Sequence, residues 1–143
     1  MSSMTVSLKK DMKGFDRFKK YLDSDKLLSD ITFAGATVGA INAKAGIQNQ
    51  RPEWPPLSPE TIESKGHDKI LWLTGEMHDS LHAERRGANA IYGSDKEYAP
   101  NHEFGIGTPK RAFLEPTIHG EELEVMFQAM DAVLAQTIKD ANG

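Results

Sequence analysis

Apolar residues recur every three or four positions toward both ends of the chain and lose that period in the middle. The pattern predicts helices flanking a more irregular centre. At the start, Val6 and Leu8 fit a short strand or an extended arm. Met12, Phe15, Phe18 (or Lys19) and Leu22 then mark a helix over residues 9–22, which Gly14 weakens. After the polar break Asp23, Ser24 and Asp25, a second helix is predicted over residues 26–46. Its apolar stripe is Leu27, Leu28, Ile31, Ala34, Val38, Ile41 and Ala45. Small residues on the same helix, Gly35, Gly39 and Ala40, leave room for another backbone to approach. The period returns near the end of the chain. Ile118, Leu123, Phe127, Met130, Leu134 and Ile138 form one face of a last helix, with Met126, Val133 and Thr137 beside it.

The centre is punctuated by Pro52, Pro55, Pro56 and Pro59, which stiffen residues 50–58 and exclude a central strand there. Ser58 followed by Pro59 predicts a helix start, and Gly66 an early end. Ile70 to Leu73 is a short apolar patch, after which Thr74 caps a helix carrying Met77 and Leu81 on one side. Residues 82–86 and 90–93 fit two strands around a Gly87-Ala88-Asn89 turn. Residues 98–104 fit a short helix or turn that stops at Gly105, and residues 111–114 a further strand or buried segment. Together these elements predict one α+β domain over residues 1–143, with a small central antiparallel sheet packed with N-terminal and C-terminal helices.

Charge alters this picture modestly. Residues 1–50 carry eight Lys/Arg against five Asp/Glu, residues 51–111 eight against ten, and residues 112–143 one against six. A positive and a negative end favour head-to-tail contact between copies, although solvated helix faces account for the split equally well. With a net charge of -4, avid nonspecific binding to nucleic acid is not expected. The chain has no cysteine, hence no disulfide and no thiolate metal site, which suits a reducing cytoplasm. Its first residues lack a signal-peptide core, and no run reaches the roughly 18 apolar residues of a membrane span. Membrane insertion is not expected.

Candidate chemistry is sparse. His78 and His82 stand four apart and could share a metal on a helix, but G-E-M-H-D-S-L-H is not the H-E-x-x-H pattern. Ser58 and Ser80 lack a glycine-flanked nucleophile elbow, and Gly105-Ile106-Gly107 is too short to signal a dinucleotide loop. No catalytic residue, cofactor or metal is therefore predicted, and the chain is not expected to be an enzyme. Arg51, Arg85, Arg86, Lys110 and Arg111 could form part of a basic patch, with Trp54, Trp72 and Tyr98 able to stack on bases. Glu53, Glu84, Glu97 and Glu103 dilute that field, and the aromatics fit core or subunit-contact positions better.

Four signals remain, in order: R-P-E-W-P-P-L-S-P-E-T at residues 51–61, I-L-W-L-T-G-E-M-H-D-S-L at 70–81, Y-A-P-N-H-E-F-G at 98–105 and R-A-F-L-E-P at 111–116. This series resembles the phage virion morphogenesis family, the tail-completion proteins of contractile-tailed phages and prophages. The matching positions are Pro52, Trp54, Leu57, Ser58 and Thr61; Ile70, Leu71, Thr74, Gly75 and Ser80; Tyr98, Ala99, His102, Phe104 and Gly105; and Arg111, Phe113 and Leu114. Met77 stands where leucine is usual and Glu103 where glutamine is common, while Pro100-Asn101 replaces alanine- or isoleucine-like filling.

The resemblance implies a structural protein that completes the head-proximal end of a tail and enables head–tail joining. It would self-associate into a ring, meet phage tail and neck or connector proteins, and touch passing DNA weakly at most. Assembly would take place in the host cytoplasm, and the product would reside in the virion tail or neck. The alternatives are a head-side connector or adaptor contacting DNA and, more distantly, a small metal-dependent hydrolase. The residues expected to serve as interface or architectural positions are Trp54, Leu57, Trp72, Tyr98, His102, Phe104, Gly105, Arg111 and Phe113. Trp54, presented on the proline loop, is the expected interface anchor. Tyr98, His102 and Phe104 would pin a bent segment to the sheet. Arg111 would pair with Glu103 or Glu115, or stand free at the surface.

Overall fold

The computed structural model describes Asp16, Lys20 and residues 24–142. Asp16 and Lys20 are helical, and the rest of the expected helix over residues 9–22, with the arm at Val6 and Leu8, lies outside the described residues. The long helix α1 runs Asp25–Asn49, a little beyond both predicted ends. Two short helices follow, α2 at Pro59–Lys65 and α3 at Glu76–Ser80, and then an antiparallel hairpin of β1, His82–Arg86, and β2, Asn89–Gly93. Helix α4 spans Ala99–Phe104, a 3-10 turn spans Glu115–Ile118, and α5 runs Gly120–Asn142. The fold is the expected α+β arrangement, a two-stranded antiparallel sheet packed against helices.

The local chemistry explains most of these boundaries. Ser58 caps α2 by accepting from the Thr61 amide at 3.2 Å, and Pro59 occupies the first turn, where its missing N–H is not needed. Gly66 closes the helix in the left-handed region. The register pairs His82 with Gly93 and Arg86 with Asn89, so the hairpin turn is Gly87-Ala88 and Asn89 already belongs to β2. Residues 111–114 form a buried segment rather than a strand.

Helices α1 and α5 pack antiparallel, and the hairpin lies across α1. Arg51, just beyond α1, clamps Glu122 near the start of α5 through two bonds of 3.0 and 2.8 Å. The buried face of α1 only partly follows the predicted stripe. Leu27 is buried and Ile31, Ala34 and Val38 are half-buried, but Leu28, Ile41 and Ala45 are exposed, while Gly35, Ala36, Gly39, Ala40, Ala43 and Ile47 are buried. The small residues admit side chains, not a second backbone. A Cβ at Gly39 would lie 2.5 Å from Cζ of Tyr92, and one at Gly35 would lie 2.8 Å from Sδ of Met130. On α5, likewise, Met126 is buried, whereas Phe127 of the predicted face is about half exposed.

The main core joins Ala43 and Ile47 of α1 to Trp54, Ile70, Met77, Leu81, Ala99 and Phe113. Full burial of side chains such as Ile47, Leu81 and Phe113 stabilises by about 1.5–3 kcal/mol each. This cluster draws on all four sequence signals.

Candidate functional site

Specific hydrogen bonds lock the first, third and fourth signal segments together, and Gln50, one residue before the first, ties in the second. The Trp54 indole Nε1 donates to the Ala112 carbonyl at 2.9 Å. Arg111 donates from Nε to the Pro55 carbonyl at 2.8 Å and from Nη2 to that of Pro56 at 3.0 Å. The Arg111 amide donates to the His102 carbonyl at 2.8 Å, tying the fourth segment to the third. Gln50 reaches the second segment: its amide side chain accepts from the Ile70 N–H and donates to the Ile70 carbonyl. Gln50 and Leu71, at either end of this clamp, have φ of 59° and 58°. Such backbone in a non-glycine residue costs on the order of 1–3 kcal/mol and persists only where surrounding contacts enforce it.

Glu103 completes the frame. Its carboxylate is almost fully buried and accepts from the amides of Phe113 at 2.8 Å, Leu114 at 3.0 Å and Glu115 at 2.8 Å. The expected pairing of Arg111 with Glu103 or Glu115 is therefore corrected. The oxygens of Glu103 are taken by backbone, and Glu115 pairs with Lys110 at 3.2 Å. Arg111 is not a free surface residue either, being only 5% exposed.

Above this frame lies a cleft of about 840 Å³. Leu57, Trp72, Tyr98, His102 and Arg111 all line it, so five of the nine predicted positions converge on one concave surface. Trp54 and Phe113 lie beneath, in the core. This corrects the role of Trp54: with its ring buried and its N–H bonded inside the chain, it braces the proline loop instead of anchoring a neighbour. Gly105 ends α4 with φ 73°, and a Cβ there would lie 3.0 Å from Cβ of Lys110. Phe104 points outward and is 69% exposed, so it does not pin the segment to the sheet.

Sequence reasoning missed other lining residues, among them Lys65, Leu73 and Pro109, because none belongs to a recognisable chemical pattern. Lys65 donates to the Lys69 carbonyl at 2.6 Å, and Nζ of Lys69 sits 3.8 Å from the centre of a Trp72 ring. Trp72 is also tilted against His78, and the ring edge of His102 meets Tyr98 at 6.1 Å between centroids. Partial burial first, then the Arg111 and Lys65 charges, push the His102 pKa below the ordinary histidine value. Burial, then Arg111, lowers that of Lys65, and burial lowers that of Arg111. Nδ1 of His102 is buried without a hydrogen-bond partner.

His78 and His82 do not share a helix face, because α3 ends at Ser80 and His82 opens β1. His78 bonds Asp79, and His82 bonds Glu84 and the Ser80 carbonyl. Among the described residues no three His, Asp or Glu side chains gather as a metal-holding group. The residues that could have formed a basic patch are paired instead. Arg51 pairs with Glu122, Arg85 with Asp30, Arg86 with Glu84 and Lys110 with Glu115. Comparison with protein-family models, with curated proteins and with solved structures finds no match to this chain.

Proposed function

We propose that this protein is a structural component of phage assembly, which completes the head-proximal end of a tail and makes it competent to join a head. One observation carries the reading. Of the four signal segments that resemble the morphogenesis family, spread over residues 51–116, three are bonded directly to one another and the second is held by Gln50 and by packing in the same core, beneath one cleft. A series of motifs whose side chains brace one another fits a part built for rigid presentation, since pre-ordered contacts lose less entropy when a neighbour docks. Most polar groups of the frame hold the architecture: Glu103 bonds three amides, Arg111 two carbonyls through Nε and Nη2, and Trp54 one. A ring of several copies, in contact with tail and neck or connector proteins, is part of the same proposal.

Electron microscopy of particles from an induced lysogen lacking this gene, beside a complemented control, tests the role. Filled heads and separate full-length tails, joined only on complementation, are expected. Normal infectious virions without the protein would overturn it. A head-side defect, with tails complete and heads leaking DNA, would favour the connector reading instead.

A further inference from the structure

The cleft has a floor whose charge the protein does not neutralise. Arg111 is nearly buried, and its bonds go to two neutral carbonyls. Among the described residues no carboxylate pairs with it, and Nη1 makes no hydrogen bond. A buried guanidinium without a counter-charge is costly, and it offers a carboxylate a strong charge-assisted pair. Lys65 adds a second cation to the lining. Among the described residues Glu76 is the single carboxylate there, and it is 3.8 Å from Lys96. His102, also in the lining, has its pKa lowered by partial burial first and then by the two charges. Around these groups the wall is apolar, with Leu71, Trp72, Leu73 and Tyr98 among its residues, and Leu73 is 70% exposed. The volume, about 840 Å³, lies toward the upper end of what ligand clefts enclose and suits a few residues of extended chain.

We infer that this cleft receives an acidic segment of a neighbouring protein, with a Glu or Asp carboxylate on Arg111 and an adjacent apolar side chain against Trp72 and Leu73. The inference deepens the assembly proposal by naming the chemistry of a partner. It rests on that proposal only for where the partner is found. Charge complementarity selects the occupant: an uncharged apolar peptide would cover Leu73 but leave the guanidinium desolvated and unpaired. A phosphate-bearing strand would bring several charges against a largely apolar wall that also carries Glu76.

The test uses full-length protein and two synthetic peptides, acetyl-Leu-Glu-Phe-amide and the same sequence with Gln for Glu. Backbone amide NMR shifts and tryptophan fluorescence report binding. The Glu peptide is expected to shift Leu71, Trp72, Leu73 and Arg111 saturably and to bind about tenfold more tightly than the Gln peptide, as one added charge-assisted pair predicts. Leu73→Glu and Lys65→Glu, both at solvent-reachable positions, should abolish that preference while leaving the remaining spectrum unchanged. Arg111 is left intact because its carbonyl bonds hold the proline loop. Equal binding of both peptides, scattered shifts or no binding would overturn the inference. Self-association that Leu73→Glu removes and the Glu peptide does not compete would also overturn it, by giving the cleft to a second copy. Peptide binding by a protein whose gene deletion leaves virions normal would sink the assembly role and leave the cleft assignment standing.

Discussion

At the scale of single residues, two buried groups hold the frame by different chemistry. Glu103 accepts three backbone amides, two on one oxygen and one on the other. Glutamine, the uncharged side chain of the same shape, would keep an acceptor for one side only and turn an NH2 toward the remaining donor. Glu103→Gln should therefore cost about 1.5–3 kcal/mol, the range for hydrogen bonds to a charged group, read as a lower urea midpoint at unchanged slope. A midpoint equal to that of the wild type would show that the carboxylate charge is dispensable there. His102 sets a pH dependence. Its folded pKa lies below the unfolded value near 6.5, so between the two the unfolded chain binds more protons. Its contribution to stability is complete above about 6.5 and is lost as pH falls from there through the folded-state value. His102→Asn should flatten the fall in stability as pH drops below about 6.5, measured by urea titration from there downward. An unaltered profile would mean that the histidine is not held neutral by its surroundings.

At the scale of elements, α1 explains why part of the fold was legible in the sequence and part was not. Ends of helices announced themselves through short-range chemistry: Ser58-Pro59 starts α2, Gly66 and Gly105 stop α2 and α4, and the hairpin follows its turn. The buried face of α1 did not, because Gly35, Ala36, Gly39, Ala40 and Ala43 carry almost no hydropathic signal. The burial of Gly35 and Gly39 depends on Tyr92, Met126 and Met130, residues some 50 to 95 positions further along that fill the space the glycines leave. Long-range polar pairs were equally hidden; nothing local ties Glu103 to three amides or Arg111 to the proline carbonyls. The candidate site was half legible for the same reason, its motif residues visible singly and their convergence on a cleft not. The packing predicts that Gly39→Ala destabilises, even though alanine favours a helix by about 1 kcal/mol over glycine. The new methyl would meet three ring atoms of Tyr92 at 2.5–2.7 Å, and the ring is anchored by its hydroxyl to Thr117 at 2.6 Å. The net loss should be about 1–3 kcal/mol in chemical denaturation. A gain in stability would mean that the hairpin shifts on α1 without penalty.

For the whole molecule, the contrast between motif residues that stabilise the fold and those that do not separates two kinds of position. Trp54 and Phe113 are buried and bonded within the chain, so their substitution would test folding alone. Phe104 belongs to the same motif series yet is 69% exposed, and Ile106 two residues later is 59% exposed. A large apolar side chain held outward on a short capped helix gives the folded monomer little, and aromatics often dominate contacts between subunits. Under the assembly proposal the outward Phe104, rather than the buried Trp54, is the aromatic available as an anchor. Replacing both Phe104 and Ile106 by serine should change unfolding free energy by no more than about 0.5 kcal/mol, as surface substitutions ordinarily do. Under the assembly proposal the same double variant should fail to restore head–tail joining when supplied to a lysogen lacking the gene. Full restoration, with the variant folded and expressed to wild-type level, would remove this patch from the assembly interface. Loss of stability well beyond that range would instead assign the pair to the fold.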